Sequence, residues 1–575
     1  MKRAGPEAVP QPFRPLPPSR AAALGLALAL PLASPSLGCG DDHAGPAPTD
    51  GGATDMRPAP LDLGPRVDAA LPPPPPASCA PSPGGGARVV SAPRQIAALS
   101  DRWHEGWLAS PAVADLDGDG TREIVAARSG RLLAWHLDGA VVGSLDVPGR
   151  IWASPVVADV VPENPGLEVA FAERGRIHVV GRDLRELPGW PFEWRDELRS
   201  FAAGDLDGDG RLELVALTTS PLSGGGQRDI LIAVRSDRSL VPGFPPNTTG
   251  ASGCDDACYV TGGYDQNLAL GDVTGDGRAE IFGTQDNAYL SLHDGTGRAF
   301  DANPFFRGRT KFLGVRFLHD YDEAKMGWAR MEQTALQAHF TNSAPAIADL
   351  DGDGRRELVV LGSVQNAAQT DRLRGVALWA LRPDGSRLPG WETPFHVPDY
   401  LAGLWDYEGT NVVGATNQVS IADLFPDRPG PELVFAGFDG RIHCVDANAR
   451  ALWQATYTTS DRVLTAGVAI ADLSGDGSPE IVFASYSPDA DRSHLFVLGA
   501  GGDELHRIPL PGRGAMSVPT IADVDGDGQL EILVALKGGM DRMPHVLVYT
   551  VDGSGTACLP WPTGRRTLLR DGLVP

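Results

Sequence analysis

The chain has 575 residues, 73 of them acidic against 49 lysines and arginines, for a formal net charge of −24. That balance excludes a nucleic-acid partner, because phosphate backbones require a basic surface. Six cysteines in so long a chain fit an oxidising compartment but not a dense disulfide scaffold.

In chain order, residues 1–38 read as an export signal. Lys2, Arg3, Arg14 and Arg20 form a basic lead, and residues 21–33 form an apolar core. That core is too short to span a bilayer as a helix and suits a secretory signal. It ends Ser36-Leu37-Gly38-Cys39, which resembles the lipobox of bacterial lipoproteins, with Ser36 where leucine is usual. The resemblance implies lipidation of Cys39 and a membrane-anchored, exported protein, with an ordinary cleaved signal as the alternative. Residues 39–88 are rich in Pro, Gly, Ala and Asp, a composition that cannot bury enough to fold and reads as a tether.

From residue 89 onward one phrase recurs. Its clearest copy is Asp115-Leu-Asp117-Gly-Asp119-Gly-Thr121-Arg-Glu123, followed by Ile124-Val125-Ala126. It returns as Asp205, Asp207, Asp209, Arg211, Glu213; as Asp349, Asp351, Asp353, Arg355, Glu357; and as Asp523, Asp525, Asp527, Gln529, Glu531. A hydroxyl takes the third position in Asp272, Thr274, Asp276, Arg278, Glu280 and in Asp472, Ser474, Asp476, Ser478, Glu480. Oxygens at positions 1, 3, 5 and 9, with the main-chain carbonyl of position 7, suit calcium, which takes six to eight oxygens at about 2.3–2.6 Å. Glycines at positions 4 and 6 permit the left-handed backbone such a loop needs. About six calcium ions are expected. The six loops hold 22 carboxylates, so metal accounts for much of the acidity.

Two worn copies keep only the ends, Asp159 with Glu168 and Asp423 with Glu432, and each holds two or more prolines in between. They read as the same unit with a turn stiffened by proline instead of by an ion. Short apolar runs precede each loop, β-branched runs follow it, and Asp-Gly turns such as Asp138-Gly139 come next, so the units are strands and hairpins. The starts lie 44 to 77 residues apart, against about 40–50 for a four-stranded propeller blade.

This phrase resembles the FG-GAP/VCBS repeat, the blade of the integrin α-subunit head and of many bacterial surface proteins. The resemblance covers roughly residues 103–562. It implies an all-β, eight-bladed β-propeller of four-stranded antiparallel blades, with seven blades as the alternative if a worn copy is not a blade. It also implies calcium loops between the first and second strands and ligand binding on the opposite face. A second phrase, Leu187-Pro-Gly-Trp190, Val241-Pro-Gly-Phe244, Leu388-Pro-Gly-Trp391 and Leu559-Pro-Trp561, looks like a hairpin after the third strand. Its last copy implies a complete eighth blade.

Insertions are expected near residues 243–266, 299–342 and 392–418, with one helix over 321–338. Their aromatics, among them Phe340, Phe395, Tyr400, Trp328 and Trp405, either line a rim that binds a protein or carbohydrate ligand or form the insertions' own core. Cys254 and Cys258 are spaced for a small disulfide, Cys79 and Cys558 flank the repeats and suit a staple, and Cys444 lies in a strand pattern as a buried thiol. His136, His178, His293 and His443 recur at third-strand positions and read as repeat structure. Some eight-bladed calcium propellers of similar kind, the rhamnogalacturonan lyases, act on polysaccharide. His319, Tyr321, Lys325, His339 and His396 are the residues imaginable in that role here, and no spacing selects them.

Overall fold

Eight sheets stand around one axis, several begun by a short, wholly buried inner strand such as Ala112–Ala114 or Val156–Ala158. The computed structural model describes residues 79–80, 89–102, 105–222, 231–246, 266–284, 290–298, 300, 336–340, 343–366, 371–384, 386–407, 411–414, 417–538, 543–556 and 558–575. The expected signal, Cys39, Cys254 with Cys258, and most of the insertions lie outside them.

Each of the eight is a blade paired antiparallel, except that Ser343–Ala344 joins Asn417–Ala422 in parallel. The first runs Ala112–Ala114, Glu123–Arg128, Arg131–Trp135, Val141–Asp146 from the axis outward. Among the described residues the blades have three to five strands rather than a uniform four. Both worn copies begin true blades, entered by Val156–Ala158 and Asn417–Ala422, so the count is eight and not seven. No helix occurs among the described residues, and residues 337 and 338, expected at the end of a helix, belong to the strand Gln337–His339.

Burial follows distance from the axis. Glu123–Arg128 and Arg131–Trp135 are buried at every position, whereas the outer strands Val141–Asp146 and Ala451–Thr456 alternate. Blades stack face against face, so both faces of a middle strand such as Arg131–Trp135 are covered, as in a buried parallel sheet. Trp135, Trp379 and Trp391 fill the space between blades. The Leu-Pro-Gly-Trp phrase delivers Trp391, whose indole N–H donates to Ala447 O of the next blade at 2.7 Å. The Val-Pro-Gly-Phe copy presses Gly243, at φ +97°, so close to the neighbouring blade that a Cβ would overlap the Thr296 carbonyl.

Both ends of the described chain close the ring. The outer strand of the eighth blade is Arg94–Leu99, paired antiparallel with Val546–Val551. The last copy of the second phrase is thus not a hairpin completing that blade. Instead, residues 558–575 leave the blade and enter the axis. There Trp561 bridges Ile470, Pro562 O accepts Ile521 N–H at 2.7 Å, and Leu568 O and Leu569 O accept Val157 and Ala203. Asp571 O and Gly572 O accept Leu270 and Ile347, and Gln418 Oε1 accepts Arg565 N–H. The tail supplies partners that isolated inner strands lack.

Three arginines make this plug possible. Arg565, Arg566 and Arg570 are at most 1% exposed. Arg570 donates to Pro155 O, Pro111 O and Gly564 O at 2.9–3.0 Å, Arg565 to Gln266 O, and Arg566 to Pro560 O and Leu573 O. Burial holds all three guanidinium pKa values down, to about 9 for Arg565 and Arg570. The cavity left above the plug, between Gln266, Gln418, Met516 and Gly564, is about 10 Å³, the room of one water. Cys79 and Cys558 form a disulfide with Cα atoms 5.2 Å apart, and Cys444 is a free buried thiol, both as expected.

Candidate functional sites on two faces

The acidic loops lie at one end of the axis, each joining the first strand of a blade to the second. The residue before the first aspartate pairs with the glutamate at position 9: Ala114 with Glu123, Gly204 with Glu213, Gly271 with Glu280, Ala348 with Glu357, Ala471 with Glu480 and Ala522 with Glu531. Inside the first loop, Asp115 Oδ1 accepts Gly118 N–H at 2.7 Å and Oδ2 accepts Gly120 N–H at 2.9 Å. Gly118 and Gly120 have φ of +78° and +91°, the left-handed turns expected from the sequence. Position 7 turns its N–H toward position 5, as Thr121 does to Asp119, Arg211 to Asp209, Arg278 to Asp276, Arg355 to Asp353, Ser478 to Asp476 and Gln529 to Asp527, at 2.7–2.9 Å.

The glutamate has a second role. In all eight loops one of its oxygens accepts the N–H of the residue after the first aspartate, at 2.7–2.9 Å: Leu116, Val160, Leu206, Val273, Leu350, Leu424, Leu473 and Val524. Glu168 and Glu432 keep this latch where the other carboxylates are lost. The conserved phrase ending is therefore accounted for by backbone chemistry alone, and position 9 is a weaker sign of metal than positions 3 and 5.

Carboxylate oxygens from three residues converge within 4.8 Å in four loops, at Asp115/Asp117/Asp119, Asp205/Asp207/Glu213, Asp349/Asp351/Asp353 and Asp523/Asp525/Glu531. The hydroxyl-bearing loops at Asp272 and Asp472 do not form such a triplet: Thr274 Oγ1 turns to Glu280 and Ser474 Oγ to Asp472. The donor set is hard oxygen throughout, which fits a divalent cation such as calcium. The latch leaves Oε1 of Glu357 and Glu531 without a hydrogen bond beside the aspartates. Cations of the protein reach three of the four clusters. Arg235 Nη2 is 2.7 Å from Asp207, Arg382 Nη2 is 2.9 Å from Asp351, and Arg122 Nη1 is 3.5 Å from Asp523. In the first loop His136 Nδ1 lies 3.4 Å from Glu123.

Burial pushes these glutamates up, to about 7 in Glu213, Glu280, Glu357 and Glu531 and about 8 in Glu480, and the neighbouring aspartates add to it. Glu432 reaches about 7 by burial in a loop without the aspartate set. A carboxyl whose folded pKa exceeds its unfolded one favours folding below the unfolded value, and that contribution is lost as pH rises through the folded value. Glu432→Gln should therefore gain stability on the parent as pH rises from about 4.5 to about 7, by on the order of 2 kcal/mol. Melting curves of both proteins across that window check this; a constant difference would refute it.

Opposite the loops, where chain enters the inner strands, lies a cluster that the sequence reading missed. Trp107 and Trp152 meet edge to face, 5.8 Å between centroids. Arg199 sits 3.7 Å over Trp152, Arg150 lies 4.7 Å from the same ring and 5.4 Å from Trp107, and Lys537 Nζ is 3.4 Å over Trp107. Glu105 binds Arg513 at 2.9 Å and Lys537 at 3.0 Å. Burial alone would raise Glu105, but Lys537 and Arg513 outweigh it and hold its pKa down; burial brings Lys537 down to about 7. The available signal was a tryptophan seven or eight residues ahead of the first aspartate in the first two repeats, Trp107 before Asp115 and Trp152 before Asp159.

The expected rim is less supported. Phe340 is wholly buried against Trp379, Phe395 packs on Phe435 and Tyr400 on Phe438, so these three insertion aromatics are packing. His396 Nε2 lies 3.0 Å from Arg374 O in the fifth blade, and Ser363 Oγ donates to the His339 carbonyl at 3.1 Å. His319, Tyr321, Lys325 and Trp328 are outside the described residues. His178 and His443 stack on Phe171 and Phe435 and face Glu186 and Asp439, as repeat structure requires.

The chain is similar in part to several known proteins. Residues 472–534 carry an FG-GAP-like repeat. Over 213 residues the chain is 26% identical to rhamnogalacturonan endolyase YesW of Bacillus subtilis (strain 168), a match covering 32% of this chain and 33% of that protein. Among solved structures it is similar to the biofilm matrix protein Bap1 of V. cholerae (TM-score 0.38, 13% identity, 84% of this chain and 96% of that one). It is also similar to BamB from Moraxella catarrhalis (TM-score 0.42, 12% identity, 77% and 99%).

Proposed function

We propose that this protein is a calcium-binding β-propeller, held at a bacterial membrane by lipid on Cys39, that recognises a protein or carbohydrate ligand on the face opposite its acidic loops. The observation that carries this reading is the segregation of chemistry. The convergent aspartates of the loops lie at one end of the axis, the stacked indoles of Trp107 and Trp152 with their cations at the other, and the chain's own tail fills the space between. Tryptophan and arginine are the residues that most often dominate binding energy at interfaces. The loops, tied into strand pairs, serve stability in this reading, and about six calcium ions stiffen them.

A binding screen of the full chain in calcium, with glycan and protein arrays, supplies the ligand. Trp107→Ala with Trp152→Ala should then reduce binding more than tenfold while the calcium-dependent melting stays. Replacing Arg211, Arg278 and Arg355 on the loop face should leave binding intact. The reverse pattern would place recognition on the loop face. Cys39→Ser in the same series should move the protein from the membrane to the soluble fraction; unchanged fractionation removes the anchor.

A polysaccharide lyase is the second reading, favoured by the partial likeness to a rhamnogalacturonan endolyase. New absorbance from an unsaturated uronide on incubation with acidic polysaccharide would establish it, and its absence across such substrates would discard it.

A further inference from the structure

The turn after the third strand is built alike in seven blades. Its first residue donates its main-chain N–H to the carbonyl four residues on, at 2.9–3.2 Å: His136, Gly181, Arg235, Asp294, Arg382, Asp446 and Gly499. A basic side chain stands at this position only in blades whose loop has aspartate at positions 1, 3 and 5, as His136, Arg235 and Arg382. Blades whose loop has a hydroxyl at position 3 have Asp294 and Gly499 there, and the worn copies have Gly181 and Asp446. The turns themselves do not need the arginines. Asp237 Oδ1 accepts Ser239 N–H and Asp384 Oδ1 accepts Ser386 N–H, both at 2.8 Å, so each turn is tied by its own aspartate.

The two guanidiniums reach the loop carboxylates instead. Arg382 Nη2 lies 2.9 Å from Asp351 Oδ2 and 4.0 Å from Asp353 Oδ2, and its Nε lies 3.9 Å from Glu357 Oε1. Arg235 Nη2 lies 2.7 Å from Asp207 Oδ2. The other oxygen at position 3 is engaged as well: Asp351 Oδ1 accepts Asp353 N–H at 3.2 Å and Asp207 Oδ1 accepts Asp209 N–H at 3.3 Å. Asp117 and Asp525 make the same Oδ1 bond, but among the described residues the cations near their loops pair with Glu123 and Asp523 instead.

Resting on the reading that the loops hold calcium, we propose that Arg235 and Arg382 are built-in counter-ions that compete with calcium for position 3 of their loops, so that the third and fifth blades take the ion only at raised calcium. Calcium needs oxygens that the guanidinium already holds, and the two positive charges repel at that distance. In chelator the arginine balances clustered carboxylates that would otherwise repel one another. One side chain thus steadies its loop without the metal and lowers the loop's affinity for it.

Hydrogen exchange of the full chain, read by mass spectrometry from excess chelator up through a calcium titration, tests this loop by loop. The reporting amides are those bonded to the first aspartate, such as Gly352 and Gly354 on Asp349. Arg382→Gln should lower the calcium midpoint of residues 349–357 about fivefold or more and leave that of residues 115–123 within about twofold. In chelator, residues 349–357 of this variant should exchange faster than in the parent. Arg235→Gln should do the same to residues 205–213. Arg382→Lys keeps the charge and should stay near the parent, and Arg185→Gln, at an exposed turn, should change no loop. His136→Arg transplants the device and should raise the midpoint of residues 115–123. Opposite signs in chelator and in calcium separate a counter-ion from a structural arginine, whose loss would weaken the loop in both. Glutamine variants whose midpoints equal or exceed the parent's overturn the proposal and leave calcium binding standing. If no loop of the parent or of any variant responds to calcium, the calcium reading falls and the proposal falls with it.

Discussion

Excess chelator should lower the melting temperature of this protein by about 10 °C or more. An ion that binds only the folded state stabilises it by about 4 kcal/mol at a thousandfold excess over its Kd, and each kcal/mol moves the midpoint of a large domain by a degree or more. With several loops occupied the sum is large. Loop variants separate this effect from the latch. Asp119→Ala and Asp353→Ala each remove part of one triplet, so each should shrink the chelator effect and speed hydrogen exchange in its own blade before distant ones. Asp423→Ala, in a loop without the aspartate set, should leave the chelator response alone. A melting curve indifferent to chelator would falsify the calcium assignment for every loop together, since the glutamate latch needs no metal.

Removing residues 562–575 should abolish the folded ring. Main-chain groups of Ile521, Val157, Ala203, Leu270 and Ile347 lose their partners at once, and each buried orphan costs about 1–3 kcal/mol. A typical domain's whole stability is about 5–15 kcal/mol. A single change gives a graded version. Arg570→Ala strands the carbonyls of Pro155 and Gly564, while Pro111 O keeps the Thr520 hydroxyl, and should destabilise by about 3 kcal/mol. Circular dichroism and thermal melting of the two variants decide it. A truncated chain that melts like the parent would make the tail an accessory instead of a structural member.

What the sequence made legible was whatever repeats. Eight openings of the phrase became eight blades because each depends on contacts inside one unit: a strand pair, a loop and a turn. The worn copies were recognisable for the same reason, since Glu168 and Glu432 do their work within their own loops. What was missed depends on the whole ring. Residues 94–99 become a strand only because the eighth blade lacks an outer one. Nothing in the local sequence marks Arg565, Arg566 and Arg570 as buried, because the carbonyls that offset their burial converge only when inner strands from distant repeats meet. Trp107, Trp152 and Arg199 likewise come from three successive blades. Lys537 reaches them from the eighth, next to the first only in a closed ring.

The Cys79–Cys558 bond also decides how the protein bears tension. Residues 94–99 are an edge strand at the periphery, and a pull on the chain ahead of them would ordinarily peel that strand away rung by rung. Here a pull on any segment preceding Cys79 meets the sulfur bridge first and passes to Cys558, at the root of the axial tail. From there the load spreads into Ile470, Ile521 and, further along, Val157 to Ile347, the innermost strands of most blades. Force delivered at the rim is thus carried by the hub, and shared shear across many strands resists far better than unzipping one. Reduction of a single bond would convert the first kind of load-bearing into the second.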